Sequence, residues 1–264
     1  NTAVGDNSLG ANTTGSGNTA VGADALDANT TGDSNVAFGK SALSSNTTAG
    51  LNTAIGVAAM EANTTGANNV AVGALALDAN TTADDNTAVG YAALTTNTTG
   101  ANNTAVGRSA LALTTTGSDN TAMGRIALDD NTTGANNTAV GSSALTANTT
   151  GAQNTAVGAR SMEDTTTGSE NTAIGWGSLT ENTTGSNNTS LGRSSLATNT
   201  TGANNTASGV NALLLNTTGT QNTALGMGSL TFNQTASNNA AVGFNSLNAN
   251  TTGCLLYTSP SPRD

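Results

Sequence analysis

The chain has no histidine, one cysteine, two prolines and almost no aromatic rings, which make up 2% of its 264 residues. Each scarcity removes a class of protein. Without histidine, and with its only cysteine at Cys254, the chain has no nucleophile and base pair, because a serine or threonine without a base is a poor nucleophile. No catalytic residue, cofactor or enzymatic activity is expected. Zinc-type ligand sets are missing for the same reason, so no metal site is expected. Lys and Arg number six against a net charge of −10, too few to neutralise phosphates, so nucleic acid is not an expected partner. No apolar run approaches the roughly 18 residues that cross a bilayer, so this fragment is not expected to insert in a membrane. Large apolar side chains are scarce as well, since alanine carries much of the 35% hydrophobic content. A conventional globular core is excluded.

What is present is order. Fifteen copies of a 17-residue unit begin at Asn1, Asn18, Asn35 and so on to Asn239, without a slip in phase. Disordered chains of low hydrophobicity carry many charges and no strict positional order, whereas this one has 8% charge and a strict period. Unit position 1 is always Asn, position 5 always Gly and position 14 always Thr. Position 9 is always Leu or Met, and position 4 is apolar in all copies but the one holding Ser208. Positions 4 and 9 are therefore expected to form the core. Position 3 is Ala except at Ser190, and position 8 is Ala or Ser, as where neighbouring backbones come close. Charges fall only at positions 6, 7, 10, 11, 16 and 17, the expected solvent-facing corners. Tyr91, Trp176 and Phe244 also sit at position 6, and an isolated exposed ring of this kind is ordinarily neutral.

Seventeen residues are too few for paired-helix repeats of about 33 residues or leucine-rich repeats of 20 to 29. The period fits a β-coil. In "NTAVG" positions 2 and 4 point one way and 1, 3 and 5 the other, as in a strand, and Gly at position 5 ends it. A second extended stretch is expected around "NTT", and the intervening "SSALTA" is open to a short helical turn. The expected fold is all-β, a β-solenoid of fifteen coils in which identical residues stack. Asn137, Gly141, Leu145, Asn148 and Thr150 represent the structural ladders of amide, backbone, apolar and hydroxyl groups. Two large apolar side chains per coil are few, so contacts between chains are expected to contribute. A homo-oligomer, most plausibly threefold, follows.

Two surface features invite a binding role. In the seventh and tenth units position 12 changes, giving "TTT" at Thr114 to Thr116 and Thr165 to Thr167. If positions 12 and 14 share a strand face, Thr114, Thr116, Thr165 and Thr167 belong to an outward ladder like the Thr-x-Thr array of ice-binding solenoids. The opposing reading turns both columns inward. Asn-x-Thr sequons recur at position 12 in thirteen units, beginning at Asn12 and including Asn233, and at Asn102, Asn136, Asn187 and Asn204, where two fixed polar columns generate the match automatically. Acids such as Asp24, Asp27, Asp84, Asp85, Asp129 and Asp130 offer hard oxygen ligands, but irregularly and without the glycine-rich calcium repeat. They read as solvated corners.

The phrase "NTAVGxxALxxNTTGxxN" resembles repeats of bacteriophage tail-fibre proteins and of bacterial adhesins. Its "NTAVG" is similar to the "SVAIG" strand of trimeric autotransporter adhesin heads, whose repeats are somewhat shorter and lack "NTTG". The resemblance covers all fifteen units. It implies an extracellular, cell-surface or virion fibre, trimeric, acting as a spacer or as the shaft presenting a receptor- or glycan-binding tip that lies in missing regions. An ice- or glycan-binding solenoid is the alternative. After Gly253 the pattern gives way to "CLLYTSPSPRD", which resembles a reading-frame translation of a transposase sequencing adapter. The expected organisation is a repeat array over 1–253 and a non-native, functionless tail over 254–264. The sequence begins with Asn1 rather than Met, and a fragment is expected.

Overall fold

A computed structural model describes residues 1–251 and 253. The tail assigned to 254–264 lies outside the described residues. The chain forms two compact units, Asn1–Asn136 and Asn137–Asp264. Each is a β-solenoid. The first unit holds eight strands, from β1 (Thr2–Val4) to β8 (Thr121–Met123), and the second holds seven, from β9 (Thr138–Val140) to β15 (Ala240–Val242). Each strand is three residues long and recurs once per coil. Pairing is parallel and without offset, so that Thr2 meets Thr19, Ala3 meets Ala20 and Val4 meets Val21. Like residues therefore stack on like residues, as the period requires. No helix occurs among the described residues.

The strand alternates as expected, but with its phase reversed at the core. Position 3 points inward, with Ala20, Ala37 and Ala54 fully buried. Position 4 points outward, and Phe38, Ile55 and Ile174 are exposed at 56%, 40% and 44%. The interior is too narrow for two columns of branched side chains. It is filled by the Leu or Met column at position 9, fully buried at Leu26, Met60 and Leu145, and by the small residues of positions 3 and 8. The expectation that positions 4 and 9 form the core holds only for position 9.

Polar groups fill the remaining interior. The position 1 column, including Asn35 and Asn137, and the position 12 column, including Asn46 and Asn148, are fully buried. Asn18 Oδ1 accepts the backbone N–H of Asn35, one coil on, at 2.9 Å. In the coil that begins at Asn35, the carboxamide of Asn35 donates to the Ala49 carbonyl at 2.8 Å. Asn46 donates to the same carbonyl at 3.0 Å, and to Asn29 Oδ1 of the preceding coil at 2.9 Å. One carbonyl at position 15 thus receives both buried amides, closing the coil on itself while each amide also reaches along the stack. Such pairing is what a buried carboxamide requires. The hydroxyl ladder lies at position 13, not at position 14 as Thr150 was expected to show. Thr149 Oγ1 donates to the Thr166 carbonyl at 3.1 Å, whereas Thr150 is exposed.

The segment open to a helical turn takes another form. Backbone φ is positive at positions 7 and 9 of each coil, for example 58° at Asp24 and 53° at Leu26. Left-handed geometry costs a leucine about 1 to 2 kcal/mol, and it is offset by sending the Leu26 N–H to the Ala42 carbonyl of the next coil at 3.0 Å. Donors that a helix would use along the chain are used between coils. Glycine is required at position 5 for two reasons. Gly22 has φ of 136°, and a Cβ there would stand 2.5 Å from the Gly39 carbonyl oxygen. Gly22→Ala is expected to cost about 2 to 3 kcal/mol, read as a lower denaturation midpoint, while Ala23→Ser at the neighbouring corner leaves the midpoint unchanged.

Candidate functional site

With the interior accounted for, function must lie on the outer columns. Along the chain each coil presents a corner at positions 16 and 17, acidic or polar except at Gly50 and Leu51, the outward strand residues 2 and 4, a corner at position 6, the edge at 10 and 11, and a threonine at position 14. The strand face combines a β-branched pair on most coils, Thr87 with Val89 or Thr172 with Ile174 for example. Residues of this type suit a pleated, half-covered surface. Exposed aliphatics at Ile55, Met123, Ile174, Leu191 and Leu225 fall in one column. Next to it, position 6 adds Val57, Tyr91, Trp176, Val210 and Met227, all exposed. The result in each unit is a largely apolar stripe, broken at Ser208 in the second unit and flanked by charged residues at position 6 such as Lys40 and Arg108, and monomeric proteins seldom leave long apolar patches to water. At about 4.8 Å per strand and roughly 10 Å width, each unit's stripe covers on the order of 350 Å².

The stripe is hidden in the sequence because the residue at position 4 is larger than the alanine at position 3, and size suggests burial. A signal was present. Position 3 excludes every side chain larger than serine, which is the mark of the inward position, and it leaves 2 and 4 to face outward.

The four threonines expected to share a face are separated by the fold. Thr114 and Thr165 are fully buried, and Thr116 and Thr167 are exposed. Unit positions 12 to 15, such as residues 114–117, form a bend and not a strand, and burial there runs inward, half-covered, outward, inward. A three-residue period replaces the two-residue period that the shared face needed. Thr116 and Thr167 still belong to an exposed threonine column at position 14. Asn148, Asn137, Leu145 and Gly141 occupy the inward or close-approach places expected of structural ladders. Position 12 sequon residues such as Asn29 and Asn63 are buried, while Asn102, Asn136, Asn187 and Asn204 are exposed.

Trp176 carries the guanidinium of Arg193, one coil on in the same column, 5.5 Å from its ring centroid. Three buried serines, Ser178, Ser190 and Ser195, form a small hydroxyl cluster, with Ser178 Oγ donating to Ser190 Oγ at 2.8 Å. These hydroxyls satisfy one another where Ser190 replaces the usual alanine. Among the described residues no group of three or more His, Cys, Asp or Glu could hold a metal.

Carboxylates on different corners feel opposite environments. At position 16 the carboxyl of Asp33 is held below its ordinary range by the Ser16 backbone N–H and then by its hydroxyl. At position 10 the carboxyl of Asp78 is pushed up by burial and then by Glu61 of the preceding coil, and that of Asp129 by burial and then by Asp130. Asp164 at position 11 rises for the same first reason, with Glu163 adding to it.

Two outcomes are expected from these environments. A raised folded-state value means that the native state holds its proton more tightly than the unfolded chain. Stability contributed by Asp78 therefore falls as pH rises from its unfolded value, about 3.9, through the raised one, and Asp78→Asn relieves the penalty. Its melting temperature is expected to exceed that of the parent at pH 7 and to match it below pH of about 3.5. In the position 12 column, Thr165 Oγ1 is buried with no hydrogen-bond partner. Thr165→Asn is expected to donate to Asn148 Oδ1 and the Gly168 carbonyl, as Asn46 does in its own coil, and to raise unfolding free energy by about 1 to 2 kcal/mol. Denaturant titration reads the gain. No protein-family model matches the chain, and no curated protein matches it.

Proposed function

We propose that the chain is a structural fibre module of an extracellular surface protein or a phage tail fibre, a spacer or receptor-presenting shaft whose strand faces pack together in a homotrimer. The observation that carries this reading is the outward row of threonine and apolar residues that recurs on nearly every coil of each unit, broken at Ser208, a surface suited to being covered. Its repetition once per coil suits a partner with the same repeat, and the chain itself has that repeat. Each unit's stripe supplies on the order of 350 Å² toward the roughly 800 Å² per partner of a stable interface. The "NTAVG" likeness to trimeric adhesin heads points the same way. No catalytic step, cofactor or metal enters this reading, and a receptor or glycan would be met by regions outside this sequence.

A second reading, an ice- or glycan-binding solenoid, is favoured by the exposed threonine column at position 14. In that reading the outward faces stay free in solution, and in the fibre reading the strand face is covered. Light scattering coupled to size exclusion is expected to give three times the 25.5 kDa chain mass. Replacing the outward Val72 and Val89 by lysine is expected to give a monomer with unchanged β-type circular dichroism. A monomeric parent with a measurable thermal-hysteresis gap would overturn the fibre reading in favour of ice binding.

A further inference from the structure

The sequons fall into two classes that the fold treats oppositely. At position 12, from Asn29 to Asn233, the sequon asparagines are fully buried, and each turns its carboxamide to the closing carbonyl of its own coil, as Asn63 does to Gly66 at 2.9 Å. At position 17, Asn102, Asn136, Asn187 and Asn204 are exposed. Their backbone is held, since the N–H of Asn136 donates to the Ser118 carbonyl and that of Asn187 to the Ser169 carbonyl, both at 3.1 Å. Their φ is 59° or 60°, a left-handed conformation that asparagine adopts more readily than most residues. Their carboxamides make no hydrogen bond among the described residues.

The alternation of the strand completes the acceptor. Position 1 turns inward and position 2 outward, so Asn102 and Thr104 share the outer side with buried Asn103 between them. Thr104, Thr138, Thr189 and Thr206 are half-buried, and their hydroxyls make no hydrogen bond among the described residues. Both groups that define a sequon, the carboxamide and the hydroxyl two residues on, are thus available from one side. Two fixed columns do not generate this match, because position 17 also holds Leu51, Asp85, Gln153 and Glu170. Asn68 and Asn238 occupy the same exposed corner, but the residue two places on is Val70 or Ala240. The fold therefore carries its own controls.

The structure assigns Asn102, Asn136, Asn187 and Asn204 as N-glycosylation sites of the folded chain, and denies that role to the buried sequons of position 12. The co-substrate is a sugar activated as a nucleotide- or lipid-linked diphosphate. In the transfer, Nδ2 of the asparagine bonds to the anomeric carbon as the bond from that carbon to the diphosphate oxygen breaks. The diphosphate leaves with the bonding electrons, and a proton passes from Nδ2 to a base of the transferase. An exposed sequon on a secreted protein is the setting for this chemistry, and a sugar at the position 17 corner projects into solvent. A sugar on Asn63 would instead displace an amide that closes its coil. This assignment goes beyond the fibre reading and does not need the strand faces to be covered. Where those faces do pack together, transfer must come first, because position 2 lies on them.

The test incubates the folded full chain with a soluble sequon-specific N-glucosyltransferase and uridine diphosphate glucose, and locates added hexose by mass spectrometry. Hexose is expected at Asn102, Asn136, Asn187 and Asn204, and not at Asn63 or Asn216, nor at the control positions Asn68 and Asn238. Val70→Thr is expected to make Asn68 an acceptor. A linear peptide of residues 60–70 is expected to take hexose at Asn63, which shows that the fold and not the local sequence protects it. An unmodified peptide, or hexose at Asn63 in the folded chain, would overturn the division into two classes. The chain carrying Val72→Lys and Val89→Lys is treated in parallel. Transfer to this variant alone supports the four acceptors and shows that the parent's strand face is covered. No hexose at the four asparagines of either protein would overturn the assignment and leave the fibre reading untouched.

Discussion

In most coils the backbone carbonyl at position 15 receives two side-chain carboxamides, one in the coils that hold Thr114 and Thr165, and the rest of the structure depends on that junction. In the coil that begins at Asn35, Asn35 and Asn46 converge on Ala49 O at 2.8 and 3.0 Å. Position 1 opens the coil and position 12 nearly completes it, so their meeting fixes how far the chain must travel before it returns. Seventeen residues is the length that brings these three groups together. An insertion in one coil would leave two buried amides and a carbonyl without partners, each costing about 1 to 3 kcal/mol. The strictness of the period follows from that penalty and not from the apolar core, which tolerates Leu or Met at position 9.

Amides in the interior also explain how a chain so poor in large apolar groups holds a fixed shape within each unit. Hydrogen bonds replace volume. Asn18, Asn35 and Asn52 each accept a backbone N–H from the coil above and donate to their own coil's closing carbonyl. The branched residues that a larger core would enclose are instead turned to the surface at position 4. Apolar stripe and thin amide core are two sides of one constraint, since an interior wide enough to enclose Ile55 would be too wide for the amides to reach across. Association of the outward faces then returns those residues to an apolar setting.

Much of this was legible in the residues themselves. The period, the all-β class, the stacking of like on like and the amide columns at positions 1 and 12 follow from invariance at Asn137 and near-invariance at Asn148. The phase of the strand did not, because Val at position 4 is the larger neighbour of Ala at position 3, and size suggests burial. Only the narrowness of the interior reverses that inference, and narrowness is a property of the closed coil. Left-handed leucine at position 9 was equally hidden, since leucine favours helix and nothing local marks it for positive φ. It is held there by hydrogen bonds to the next coil, which no window of one unit contains. The threonines at 114 and 116 failed to share a face for a similar reason, a turn of three-residue period standing where a strand was expected.

Hydrogen exchange at the side-chain amides reads directly whether buried carboxamides close the coils. In a sample labelled with ¹⁵N only at asparagine, the carboxamide protons of positions 1 and 12, such as Asn35, Asn46 and Asn63, are predicted to exchange as slowly as the protected strand backbone. Those of exposed position 17 residues, such as Asn68 and Asn102, are predicted to exchange at the rate of free asparagine. Exchange of all carboxamides at the free rate, in a protein whose backbone remains protected, would contradict the claim that buried amides close each coil.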